Sequence, residues 1–216
     1  MLSISRIARD DPRYPDVLRA HLGTLAPAHL QWSGHEPLLT APQLALFCSV
    51  HCPGAILSKT FDLANVLRQN LVAVMSGFHS PVEKEWFLLL QRSATPLISC
   101  PARSLDKKRL CAEERSLMAQ KRLLLLNFGF AARRATREEA LVRNLCMAAL
   151  AEVVVVAYAA PGSMSAYLCQ MASRWGKRVY SFADPDAPGD VAPGVRVLDV
   201  RELPQWFAGQ GVISAT

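Results

Sequence analysis

The sequence predicts an α/β protein: a Rossmann-like, doubly wound, mostly parallel sheet with helices on both faces. Two observations carry this. Six short, largely apolar runs recur along the chain, and they lack the inside–outside alternation of a half-exposed strand. Continuous apolar runs are what strands buried on both faces require. Between them lie amphipathic stretches with helix start and stop signals, the rhythm of βαβ units.

Taken in order, residues 1–41 read as a short lead segment. It holds a helical stretch at 14–21, then a lid-like connection punctuated by Pro27, Gly34 and Pro37. Residues 42–182 form the Rossmann-like domain, with strands expected at 44–49, 71–76, 96–100, 122–126, 153–158 and 178–182. The first helix presents Ile56, Leu63, Ala64 and Leu67 on one face and ends near Asn70. Ser80, Pro81 and Glu83 make a capping box with proline at the first helical position, and Val82, Trp86, Leu89 and Leu90 follow. Thr136 and Glu139 form a second box ahead of Leu141, Leu145 and Ala148. Ser163 caps a helix whose inner face is Met164, Tyr167, Leu168 and Met171, stopped by Gly176. Residues 183–216 are a Pro/Gly-rich loop and a C-terminal extension, with a strand at 195–200 and a turn at 202–207 packing back on the domain.

Composition narrows the classes. At 51% hydrophobic and 19% charged residues, the 216-residue chain is too apolar for disorder. Its richest stretch, 145–161, is broken by Glu152 and falls short of the ~20 residues a bilayer span needs. The first fifteen residues are polar and charged where a signal peptide would be apolar. Six scattered cysteines without a C-x-x-C pair fit a reduced, cytoplasmic protein. Net charge is +6, and residues 101–143 hold eleven Lys or Arg against five Asp or Glu; the rest balances at thirteen of each. The whole excess lies in one segment, which is either a solvated face or a basic patch for an anionic partner.

Ligands of open parallel sheets bind beyond the carboxyl ends of the strands, which selects four loops. After the first predicted strand, Ser49 and Gly54 flank Val50, His51, Cys52 and Pro53, a small-residue loop before a helix. It is not G-x-G-x-x-G, and no acidic residue follows at ribose-binding spacing, so a dinucleotide site is disfavoured. Cys48, His51 and Cys52 lack a fourth ligand, and neither metal nor cofactor is expected. After the second strand, Gly77 permits close backbone approach, and His79 is a base, a phosphate donor or a structural hydrogen-bonding residue. After the third, Arg103 leaves the same edge. After the fifth, Gly162 and Ser163 open a helix as an anion cradle. Arg143 and Asn144 precede that strand; the arginine clamps a phosphate bidentately or pairs with Glu139, and the asparagine reads a base or ribose.

In order and spacing, these residues resemble the DNA-processing protein A family (DprA, or Smf). The resemblance rests on Ser76-Gly77-Phe78, on Arg143-Asn144 before a valine-rich strand, and on Gly162-Ser163 followed by Gly176-Lys177 and Val179-Tyr180. Phe47-Cys48-Ser49, Cys52-Pro53-Gly54, Gly77-Phe78-His79-Ser80-Pro81 and Cys100-Pro101-Ala102-Arg103 are similar to a compact branch of it. Coverage is roughly residues 10–185. The resemblance implies an extended Rossmann fold, single-stranded DNA binding, a recombinase partner that receives the DNA, and a homodimer. The family's G-S-R reads Cys48-Ser49-Val50 here, the second arginine of its R-N-R is Cys146 or Leu145, and a C-terminal winged helix has no room.

Two functions follow as expectations. One is a non-catalytic protein that binds single-stranded DNA through a basic, phosphate-binding cleft, in DNA uptake or recombination. The other is a nucleotide-binding sensor or, less favoured, a nucleotide hydrolase of the same superfamily. The hydrolases that resemble this fold need a glutamate after their glycine loop, and Pro161-Gly162-Ser163-Met164-Ser165 supplies none.

Overall fold

The computed structural model describes residues 2–203 apart from Leu71 and Lys107. In chain order the strands and α-helices are β1 (Ser5–Ala8), α1 (Asp16–Leu22), β2 (His29–Gly34), β3 (Gln43–Phe47) and α2 (Gly54–Leu67). Then come β4 (Ala73–Ser76), α3 (Pro81–Leu90), β5 (Leu97–Ser99), α4 (Ala112–Ala119) and β6 (Leu123–Asn127). The rest are α5 (Arg137–Leu150), β7 (Val153–Val156), α6 (Met164–Arg174), β8 (Arg178–Ser181) and β9 (Arg196–Val197). One nine-stranded sheet takes the order β1-β2-β6-β5-β4-β3-β7-β8-β9. Pairings from β6 through β9 are parallel; β1–β2 and β2–β6 are antiparallel.

The apolar runs are explained by burial on both faces. Leu123 and Leu125 of β6 join one core with Val153 and Val155 of β7, against α2, α3 and α4. Leu124, Leu126, Val154 and Val156 alternate to the other core, against α1, α5 and α6. Each such leucine or valine contributes about 1.5–3 kcal/mol by leaving water.

The helix starts follow the expected chemistry. Ser80 Oγ accepts from the Glu83 N–H at 3.2 Å, and the Glu83 carboxylate accepts from the Ser80 N–H at 3.3 Å. Thr136 and Glu139 repeat this at 3.0 and 2.8 Å. Helix α4 has no counterpart in the sequence reading. Its cap is Cys111, whose sulfur takes the hydroxyl's place and accepts from the Glu114 N–H at 3.4 Å.

The lead segment needs a correction. Part of the expected lid-like connection is strand β2, which extends the sheet antiparallel to β6. Pro27 and Pro37 flank it rather than interrupt it, and Leu30 and Trp32 alternate inward at 2% and 5% exposure. The buried Tyr14 hydroxyl donates to the Pro27 carbonyl at 2.8 Å and fixes the entry to β2. At the other end, the strand expected at 195–200 shortens to β9. The turn expected at 202–207 lies almost wholly outside the described residues.

Candidate nucleic-acid interface

From β3 the chain builds outward through β4, β5 and β6; with β7 it crosses to the other side and continues to β8. The carboxyl ends of β3 and β7 therefore flank the topological switch, where open α/β sheets form their crevice. Ser49 and Ser163 meet there, their Oγ atoms 3.2 Å apart. Ser49 Oγ also accepts the Ala160 N–H at 2.9 Å, and the Ser49 N–H donates to the Tyr158 carbonyl at 3.0 Å.

This closeness uses up the expected anion cradle. Gly162, at φ +64°, donates its N–H to Asp190 Oδ2 at 3.2 Å. The Ser163 N–H goes to the Ala160 carbonyl at 3.0 Å, and Ser163 Oγ caps the Ala166 N–H at 3.2 Å. The donors read from sequence as phosphate ligands are thus satisfied within the chain. Gly54 opens α2 beside this point, with Pro53 providing no side-chain cap. A Cβ added at Gly54 would meet nothing within 4 Å, so close approach does not require glycine there.

Arg143 also differs from its expected role as an open clamp. It is 6% exposed, and its Nη1 donates to the Cys100 carbonyl at 3.0 Å, at the carboxyl end of β5. Gly77 covers it: a Cβ at that position would fall inside the guanidinium. Burial pushes the Arg143 pKa down, while the nearby Glu83 carboxylate opposes the shift. Glu83 ties the elements together, since its Oε1 accepts the Cys48 N–H at 3.2 Å and its Oε2 the His79 N–H at 2.9 Å. Arg143 is thus a fastener between α5, β5 and the β4–α3 turn, and the alternative surface pair with Glu139 does not form, because that carboxylate caps α5. Asn144, next along α5, is half-buried. The His79 side chain is exposed.

On the other side of the edge the groups face outward. Arg103 is exposed after β5, as are Arg133, Arg134 and Arg137 between β6 and the start of α5. The Ser104 N–H donates to the Ala132 carbonyl at 2.9 Å, joining these two loops. Asn127 Nδ2 donates to the Arg103 carbonyl at 2.8 Å and fixes the first loop to the sheet. None of these four arginines makes an ion pair among the described residues. Beside Arg103 opens a cavity of about 420 Å³, lined by Gly77, Phe78, Phe87, Leu88, Pro101 and Arg103 among others. Sequence reasoning passed over Lys84, Phe78 and Phe87 here. Part of the signal was available: Phe78 lies in the loop past β4 and Lys84 in the first turn of α3, whereas Phe87 lies on the second turn of that helix.

The six cysteines are unpaired. Cys48 and Cys52 interact through their thiols, which holds Cys52 below the ordinary thiol range and drives Cys48 above it. Among the described residues, no three His, Cys, Asp or Glu side chains group as a metal site, and no helix is long and apolar enough to cross a membrane.

Comparison with known proteins adds the family. The model of the family described as DNA recombination-mediator protein A matches residues 5–193. The chain belongs to that family. The fold agrees: DNA processing protein A from Streptococcus pneumoniae superposes with a TM-score of 0.70 at 20% identity, over 97% of this chain and 71% of its own. The Helicobacter pylori protein, described for a unique single-stranded DNA binding mode, gives 0.66 at 22% identity, over 99% of this chain and 93% of its own. A molybdenum cofactor carrier protein from Chlamydomonas reinhardtii reaches only 0.50 at 14% identity, over 76% of this chain and 95% of its own. Among curated proteins none matches the chain.

Proposed function

We propose that this member of the DNA recombination-mediator protein A family binds single-stranded DNA along the carboxyl edge of its sheet, over the loops that follow β4, β5 and β6. One observation carries the reading. Four arginines of the basic segment 101–143, namely Arg103, Arg133, Arg134 and Arg137, are exposed on that edge and unpaired among the described residues. Cations without internal partners are free to replace the counterions of a phosphate backbone. The family membership and the single-stranded DNA bound by the Helicobacter pylori protein support the same ligand.

The residues that first suggested the cleft divide between two roles. Arg103 contacts phosphate. Ser49, Ser163, Gly77 and Arg143 build the edge on which the cations stand; Gly54, His79, Asn144 and Gly162 lie along it. Titration of labelled oligo-dT at two salt concentrations tests the proposal. Affinity falls steeply with salt, with a log–log slope of about −0.7 per phosphate neutralised, and changes little with base sequence. A salt-independent affinity would refute it.

A further inference from the structure

The loop between β3 and α2 holds two cysteines that DNA binding leaves unused. Cys48 follows the last residue of β3, and Cys52 precedes the Pro53 cap of α2. The chain bends at Val50 and His51, which turns the two ends of this short loop toward each other. Both ends are fixed. The Cys48 N–H donates to Glu83 Oε1 at 3.2 Å, and the Ser49 N–H to the Tyr158 carbonyl at 3.0 Å. At the other end the Pro53 carbonyl accepts the Ile56 N–H at 3.0 Å and the Cys52 thiol at 3.8 Å. Between these anchors the Cys48 thiol donates to the Cys52 sulfur.

The two thiols differ in access and in acidity. Cys48 is 5% exposed, whereas Cys52 is half-buried in a loop whose Val50 and His51 are open to solvent. The bond from Cys48 holds Cys52 below the ordinary thiol range; giving that bond, and then burial, drives Cys48 above it. The thiolate is the form that attacks, so Cys52 is the one set to meet a reagent from solvent. The other four cysteines lack this combination. Cys100, Cys146 and Cys169 are fully buried, and burial raises each of them. Cys111 is exposed, but its sulfur caps α4 and desolvation raises its thiol.

We infer that Cys52 and Cys48 form a reversible disulfide, with Cys52 as the attacking thiol, Cys48 as the resolving one and a low-molecular-weight disulfide as the oxidant. The Cys52 thiolate attacks one sulfur of the reagent, whose S–S bond breaks. A mixed disulfide forms, and the departing reagent thiolate takes up the proton that Cys52 gave up. That step removes the Cys52 thiolate, and with it the bond that most raises the Cys48 thiol. Cys48 then loses its proton, attacks Cys52 Sγ and expels the second reagent thiolate, which takes that proton. The protein gives up two electrons and two protons, and the reagent is reduced to two thiols. Excess reduced thiol reverses both steps. The couple goes beyond DNA binding and does not depend on it.

The test incubates the folded full chain with oxidised glutathione near neutral pH, alkylates the remaining thiols under denaturing conditions and digests with trypsin for mass spectrometry. Cleavage after Arg19 and Lys59 gives one peptide, 20–59, that holds these two cysteines and no other. In the wild type most of this peptide should be two hydrogens lighter and unlabelled, with both thiols restored by reductant, while the other four cysteines carry label. Cys48→Ala lacks the resolving thiol and should accumulate glutathione on Cys52 at least about tenfold above the wild type. Cys52→Ala should leave Cys48 unmodified. A thermal melt checks that each variant folds, and if one does not, the wild-type peptide decides alone. A wild-type peptide labelled at both cysteines, or glutathione persisting on wild-type Cys52, would overturn the couple. So would an unmodified Cys52 in folded Cys48→Ala, or a modified Cys48 in folded Cys52→Ala.

Discussion

The carboxyl edge of the sheet has two halves that treat their polar groups in opposite ways. At the β3–β7 switch the polar groups bond within the chain at 2.9–3.2 Å: Ser49 Oγ with Ser163 Oγ and the Ala160 N–H, and the Gly162 N–H with Asp190. Across β4, β5 and β6, Arg103, Arg133 and Arg134 are exposed and make no ion pair among the described residues. A hydroxyl buried without a partner costs about 1–3 kcal/mol, so the buried Ser49 pairs internally, and the exposed Gly162 N–H and Asp190 carboxylate also bond to each other. Exposed arginines carry no such penalty and stay available to a ligand. Proximity to the switch point thus marks where a crevice can form, and the internal hydrogen bonds distinguish its two sides.

The largest expected effect lies on the open half. Replacing Arg103, Arg133 and Arg134 together by Glu should weaken oligo-dT binding about a hundredfold or more near 0.1 M salt, because each reversal turns an attraction for phosphate into a repulsion. Anisotropy titration reads this directly, and circular dichroism should show an unchanged fold. If affinity moves less than about threefold, the row is only a solvated face.

Arg143 and Gly77 should behave as fasteners. Arg143→Ala loses a charge-assisted bond worth about 1.5–3 kcal/mol and opens a cavity, so the urea midpoint should drop clearly. Gly77→Ala should destabilise comparably, since its methyl and the guanidinium compete for one space. Folded protein of either variant should keep its DNA affinity within about threefold. A selective loss of binding at full stability would move Arg143 to the receptive half.

Ser163→Ala should cost about 1 kcal/mol through the lost cap of α6, with little change in DNA affinity. Smallest of all, Asp190→Asn removes a carboxylate beside the Gly162 N–H and should raise affinity by no more than about twofold. A tenfold gain would mean that Asp190 shields a phosphate site and that the two halves are less distinct than their hydrogen bonds indicate.

Much of this fold was legible in the sequence because its signals are local. Val153 to Val156 admits hardly any reading but a strand buried on both faces, and Ser80 with Glu83 announces a helix start. β2 was missed because Pro27, Gly34 and Pro37 look like loop punctuation, and only pairing with β6 reveals the inward alternation of Leu30 and Trp32. For the candidate residues, the strand ends and helix starts they occupy were legible and their hydrogen-bond partners were not. Topology brings Ser49 to Ser163 and Gly77 to Arg143, as strand order alone suggests. Whether a donor faces solvent or a neighbour depends on residues far along the chain: Asp190 for Gly162, Cys100 for Arg143. No spacing rule encodes those partners.

The most direct measurement is the salt dependence of oligo-dT affinity in three proteins: wild type, Arg103→Ala/Arg133→Ala, and Ser49→Ala/Ser163→Ala. If the open half alone grips the backbone, the arginine variant loses about 0.7 from its log–log slope for each phosphate contact removed, and the serine variant keeps the wild-type slope. A serine variant with the reduced slope, beside an arginine variant with the wild-type one, would contradict the division between the two halves.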